Sequence, residues 1–260
     1  MGRVFRRAFQ GYLGNDCPLA AAAIAYYVLI SIIPLMLLVV VAGALVLPRH
    51  LLERSLVEFV DEYLAGSTTL VAVAMRDLNR HMTSITVVAL LGTIWSGQAV
   101  FGAIRTALNQ AWGVHETRSF WVQRRLEVTL AVVVGLLFVL SSLVTWGVAR
   151  YDLGETEVYV RLFSASGISL AGFTLCYELL PNFQRRTWLA SLKAGLVATV
   201  LFEAAKWIFL GYLAVFANYN LVYGTLGTVV VFLIWAYATA SILLFGAQLA
   251  SEWEHSESPA

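Results

Sequence analysis

Charge is scarce in this chain. Asp, Glu, Lys and Arg make up 13% of its 260 residues, about half the share of an ordinary soluble domain. The charges nearly cancel, to +1 at pH 7. No stripe of basic and aromatic residues stands out, which excludes a nucleic-acid footprint. Cysteine is limited to Cys17 and Cys176, and no structural disulfide is expected. His50, His81, His115 and His255 lie in separate segments, with no His-x-x-x-His spacing that would gather a metal. A Gly-x-Ser-x-Gly elbow and a phosphate-binding loop are also missing. These absences leave no expected catalytic residue, metal or cofactor, and no ribonuclease chemistry. No Gly-, Ser- or Pro-rich linker is long enough to divide the chain, so residues 1–260 read as a single domain, with 253–260 as a disordered acidic tail.

What the chain has is apolar length. Hydrophobic residues make up 60% of it, and mean hydropathy is +0.77. Runs at 18–47, 84–104, 127–149, 162–180, 189–216 and 226–250 are each near or above the ~20 residues that carry a helix across ~30 Å of hydrocarbon. The first, Pro18 to Leu47, contains no charge and follows Arg3, Arg6 and Arg7. It is about twice as long as the apolar part of a cleaved leader, so it reads as a retained helix. The expected fold is therefore all-α: a polytopic membrane protein with six transmembrane helices.

Loop arginines orient such a chain, because basic segments stay on the cytoplasmic side. With the N-terminus inside, the inner segments hold Arg3, Arg6, Arg7, Arg105, Arg118, Arg124, Arg125, Arg185, Arg186 and Lys193. The outer segments hold Arg49, Arg54, Arg76, Arg80, Arg150 and Arg161, partly offset by Glu53, Glu58, Asp61, Glu62 and Asp77. Both termini are thus expected in the cytoplasm. Residues 2–14 mix Val4, Phe5, Phe9, Tyr12 and Leu13 with arginines, which suits a short interfacial helix. In the outer loop 48–83, Leu52, Leu56, Val57, Val60 and Leu64, then Ala74, Met75, Leu78 and Met82, recur at helical spacing around Gly66-Ser67. That pattern predicts an amphipathic helical hairpin. Tyr223-Gly224 and Gly227 suggest a tight outer turn. Pro34 removes a backbone donor inside the first span, and a kink or break is expected there, just after Tyr26, Tyr27 and Ser31.

Ionisable groups inside a bilayer cost about 2.5–3.5 kcal/mol each at the helix centre, so they mark candidate sites. Glu203 and Lys206 sit midway along the fifth run at a pairing distance of three residues. Gly195 and Thr199 extend the same face, which should point into the bundle. This arrangement has two readings: a solute, ion or headgroup site, or a neutralised pair that fixes packing. Glu178 lies one turn before Pro181, near the inner end of the fourth run. Asp16 precedes the first span, where it would cap the helix or pair with an inner arginine. Tyr26 completes the candidate set beside the Pro34 kink.

Several segments resemble the YihY/BrkB family of bacterial inner-membrane proteins. Asp16-Cys17-Pro18-Leu19-Ala20-Ala21-Ala22-Ala23-Ile24-Ala25-Tyr26-Tyr27, with Ser31 and Pro34, is similar to that family's first helix. Trp95-Ser96, Leu108-Asn109 and Trp112 match its second helix, and Tyr177-Glu178-Leu179-Leu180-Pro181-Asn182 the end of its fourth. Phe209, Tyr212 and Tyr223-Gly224-Thr225-Leu226-Gly227 resemble the fifth-to-sixth connection. Trp235-Ala236-Tyr237 and Gly246-Ala247-Gln248 resemble the last helix. The resemblance runs over about residues 5–252 and implies six spans in a bacterial inner membrane, but no mechanism, although the family has been labelled ribonuclease BN-like. Gln248 departs from it, since many relatives carry an acid there. The expected activity is translocation of a lipid-like or small solute through a polar cleft, with membrane lipids as partners and a homo-oligomer compatible. The alternative is a non-transporting scaffold or envelope-assembly factor.

Overall fold

The computed structural model describes residues 2–46, 68–114, 119, 121–122, 124–129, 133, 156–182, 188–216 and 220–257. Among the described residues six helices have both ends given: α1 (Gly2–Gly14), α2 (Cys17–Val46), α3 (Thr68–Ala111), α4 (Thr156–Leu179), α5 (Trp188–Phe216) and α6 (Asn220–Glu257). Among the described residues there is no strand. Among the described residues four stretches are long and apolar enough to cross a membrane: Cys17–Ala44, His81–Ala111, Trp188–Leu213 and Gly227–Glu254. Of the other two runs, 162–180 falls largely within α4, which is not among those four, and most of 127–149 lies outside the described residues. The first half of the expected outer hairpin, 47–67, is also outside them. Its second half is helical and joins the span directly as the start of α3, with a break at His81 (φ −125°, ψ 26°) where amphipathic sequence gives way to apolar.

α6 is the hub, packing against all five other helices and joining a layer of α1, α2 and α3 to one of α4 and α5. Small residues let these helices approach, which matters in lipid because burial alone supplies no drive for helices to associate there. Ala194 and Ala198 on α5 and Ala247 on α6 are fully buried. A side chain at Gly92 of α3 would press on Pro34 of α2, its Cβ 2.9 Å from the proline Cβ. α2 runs past Pro34 as one continuous helix rather than breaking. In a bilayer nothing competes for the backbone, so a missing donor is tolerated when a neighbouring helix covers it. For the same reason Tyr223–Gly227 are helical, not a turn.

The core gathers where α2 and α5 begin and α3, α4 and α6 end, around Cys17, Ala21, Leu108, Tyr177 and Leu244. Gly113, in the left-handed region (φ 63°), closes α3 there. Its N–H donates to the Gln110 carbonyl (3.1 Å), and the Val114 N–H to that of Asn109 (2.9 Å). α6 continues through Trp253 and Glu254 to Glu257, so Trp253–Glu257 are helical although the sequence pattern places them in the tail; Glu254 is buried. Elsewhere the helices present apolar side chains outward, Ile33 on α2 and Ile208 on α5 being 75% and 74% exposed. Exposing such a side chain to water costs about 1.5–3 kcal/mol, and exposing it to hydrocarbon costs essentially nothing.

Candidate functional site

Glu203 lies fifteen residues into α5 from Trp188, about 22 Å along the axis and so close to mid-span. The Lys206 Nζ sits 2.7 Å from the Glu203 Oε1, the side chains being 32% and 20% exposed. Oε1 itself is buried and accepts no well-aligned hydrogen bond, so the attraction is ionic in character. The ammonium also lies 5.3 Å from the centre of the Phe202 ring, close enough for cation–π attraction. Phe202 packs on Phe173 of α4 and Trp235 of α6, with centroids 5.7 and 5.5 Å away. The pair is thus set beside an aromatic cluster between three helices. Thr199, one turn earlier, is buried and donates to the Gly195 carbonyl (2.8 Å), so its hydroxyl is spent within the helix.

The other candidates lie apart. Glu178 accepts from the Ser191 hydroxyl (2.8 Å), tying the end of α4 to the start of α5. Asp16 forms the α1–α2 turn with φ 49°, a left-handed conformation that Asp tolerates. Its carbonyl accepts the first bond of α2 from the Ala20 N–H (3.0 Å), but a capping side chain requires extended backbone instead. Tyr26 is exposed, its ring edge-on to Tyr27 (5.7 Å).

A set of cross-helix bonds that the sequence does not pair gathers at the core end. The Trp112 indole N–H donates to the Glu254 Oε2 (2.9 Å) in a buried contact from α3 to α6. The Asn109 Oδ1 accepts from the Asn182 N–H (2.8 Å). Tyr177 donates to the Leu243 carbonyl (2.9 Å), and the Gln248 amide contacts the Cys17 Sγ (3.5 Å). Buried Glu127 lies 3.2 Å from Arg105 and 3.9 Å from Arg124. Most of these residues belong to the segments that carried the family resemblance. The motifs were legible, but which motif meets which was not. Among the described residues no three His, Cys, Asp or Glu side chains come within metal-binding reach of one another.

A cleft of about 390 Å³ opens between α2 and α3. Ala20, Ala23 and Tyr27 form its α2 wall, on one face because they are three and four residues apart. Gln98, Gly102, Thr106 and Gln110 recur every fourth residue along the α3 wall. The Thr106 hydroxyl donates to the Gly102 carbonyl (2.9 Å). Among the described residues the two glutamine amides make no hydrogen bond. From Gln98, mid-span, to Gln110 at the span's end the polar row covers about 18 Å. The four-residue repeat of Gln98, Gly102, Thr106 and Gln110 was a readable signal in the sequence, hidden because uncharged polar groups stand out less than ion pairs.

The family model for virulence factor BrkB matches residues 8–260. The chain is similar to a "UPF0761 membrane protein" of Alkalilimnicola ehrlichii, 31% identical over 248 residues, which cover 90% of this chain and 54% of that protein. It is similar to one of Legionella pneumophila at 26% over 261 residues (95% and 61%), and to one of Pseudomonas paraeruginosa at 29% over 260 residues (92% and 59%). It spans between about half and two-thirds of the length of these relatives. No solved structure matches it. With nearly every residue inside the family match, the chain belongs to the BrkB family of membrane proteins.

Proposed function

We propose that this protein is an inner-membrane translocator, with both termini in the cytoplasm, that carries the polar part of a lipid-like solute along the α2–α3 cleft. One observation carries the reading: two glutamine amides on a spanning helix, without hydrogen bonds among the described residues, line an open cleft. At mid-span an amide facing hydrocarbon without a partner costs about 2–7 kcal/mol, so Gln98 asks for water or a polar group that lipid tails cannot supply. Among the described residues no carboxylate or amine side chain lines the cleft. A bare ion would therefore go unpaired at membrane depth, and the favoured cargo has an uncharged hydrogen-bonding head, such as a sugar or amide, with its tail left in the bilayer. In this reading Glu203 and Lys206 hold α5 in the bundle, while Tyr27 and the Gln98–Gln110 row face the cargo.

The test is flip of a fluorescent glycolipid across reconstituted liposomes. Flip well above protein-free vesicles, falling at least tenfold in Gln98→Leu/Gln110→Leu with folding intact, is expected. Flip that equals the protein-free rate, or that ignores the double substitution, contradicts the reading and returns the weight to a scaffold role.

A further inference from the structure

The first helix carries an inference of its own, independent of the cleft. Phe5 and Tyr12, seven residues or about 10 Å apart on α1, both contact the same ring, Phe245 of α6, with centroids 5.2 and 6.2 Å away. The two contacts pin about two turns of α1 to one point of α6. Phe245 is in the last ten residues of the span that ends at Glu254, so α1 docks near the membrane face. Burial keeps the Tyr12 pKa above the usual tyrosine value, and it docks as the neutral phenol.

At ~100° per residue, α1 divides into three sectors. Ala8, Gly11 and Tyr12 face α6; Ala8 is fully buried, and a Cβ on Gly11 would stand 2.7 Å from the Gln248 Oε1. Phe5, Phe9 and Leu13, four residues apart, form an exposed apolar row beside that docked face. Arg6, Arg7 and Gln10 are exposed on the remaining side. A helix docked near the membrane face, with an exposed apolar row bordered by Arg6 and a second guanidinium on the same exposed side, has the form of an element that dips into the acyl boundary and meets phosphates from its edge.

We infer that α1 is a docking surface for anionic phospholipid, its Phe5–Phe9–Leu13 row seated at the acyl boundary and Arg6 and Arg7 on the headgroup phosphates. The occupant is set by charge: Arg6 at the border of the row and Arg7 further round the exposed side match an anionic headgroup layer and gain nothing from a zwitterionic one. Each basic residue near such a surface strengthens binding by about fivefold, and the two together by about thirtyfold.

The test is hydrogen exchange of the α1 amides in the whole protein, in nanodiscs of phosphatidylcholine alone and of phosphatidylcholine with about a third phosphatidylglycerol. Exchange should slow at least tenfold in the anionic discs. The difference should vanish in Arg6→Gln/Arg7→Gln, whose side chains are exposed and outside the core. Phe9→Ser should speed exchange in both discs. Wild-type exchange that ignores lipid charge overturns the inference. So does protection that rises with protein concentration in phosphatidylcholine alone, which would assign the row to a second copy of the chain.

Discussion

Lys206→Met removes one half of an ion pair and leaves the other half inside the membrane. The Glu203 oxygen 2.7 Å away is buried, so the carboxylate cannot simply turn to water. Removing one partner of a buried pair costs about 3–5 kcal/mol, and a lone charge at a helix centre about 2.5–3.5 kcal/mol on insertion scales. Because the side chains retain 20–32% exposure, the lower figure, about 3 kcal/mol, is expected. Glu203→Gln should cost less, about 1–2 kcal/mol. The stranded ammonium keeps the Phe202 ring at 5.3 Å, and its long stem can carry the charge toward an interface. Glu203→Gln/Lys206→Met strands neither charge and should lie within about 1 kcal/mol of wild type, since neutral replacement of a buried pair is often harmless. Thermal unfolding in detergent should place Lys206→Met roughly 6–12 °C below wild type, Glu203→Gln between them, and the double variant near wild type. The double variant should also retain flip. Single effects that simply add in the double variant would refute the pairing argument. A stable double variant without flip would move the transport site from the cleft to α5.

Two further substitutions probe the packing. In Gly246→Ala the new methyl would overlap the Tyr177 hydroxyl and stand 3.2 Å from the Ala198 Cβ. Unfolding measurements should show a loss of about 1–3 kcal/mol, partly recovered by adding Tyr177→Phe; a fully tolerated alanine would contradict this contact. Trp112→Phe deletes the buried indole bond to Glu254, a charge-assisted contact of about 1.5–3 kcal/mol. Proteolysis should then cut the end of α6 faster, whereas unchanged cleavage would mean that the bond does not hold the helix end.

Much of the architecture was written in hydrophobic length. Long apolar runs set α2, α5 and α6, and the three-residue spacing of Glu203 and Lys206 set their pairing. Short-range signals of a helix break or turn gave way where membrane context overrides them. Pro34 and Gly224 break helices in water because the freed backbone finds other partners, yet both lie within continuous helices here. Trp253 and Glu254 look like a solvated tail until Trp112, more than a hundred residues earlier, arrives to bond the carboxylate. The cleft was harder still. Its α3 wall is periodic in the sequence, but its α2 wall is alanine, which signals close packing as readily as open space. Only the placement of Tyr27 and Ala23 opposite Gly102 separates the two.

The central claim is that cargo passes along the α2–α3 cleft, and Gly102 offers the cleanest obstruction. A Cβ there meets nothing within 4 Å, so a larger side chain fills the cleft without disturbing the core. Replacing a mid-helix glycine should also leave the fold at least as stable, by up to about 1 kcal/mol. Gly97, equally open on the same helix but outside the cleft, is the control. In reconstituted liposomes, Gly102→Leu should lower glycolipid flip at least tenfold while Gly97→Leu leaves it within about twofold of wild type. Equal flip in the two variants would contradict the account.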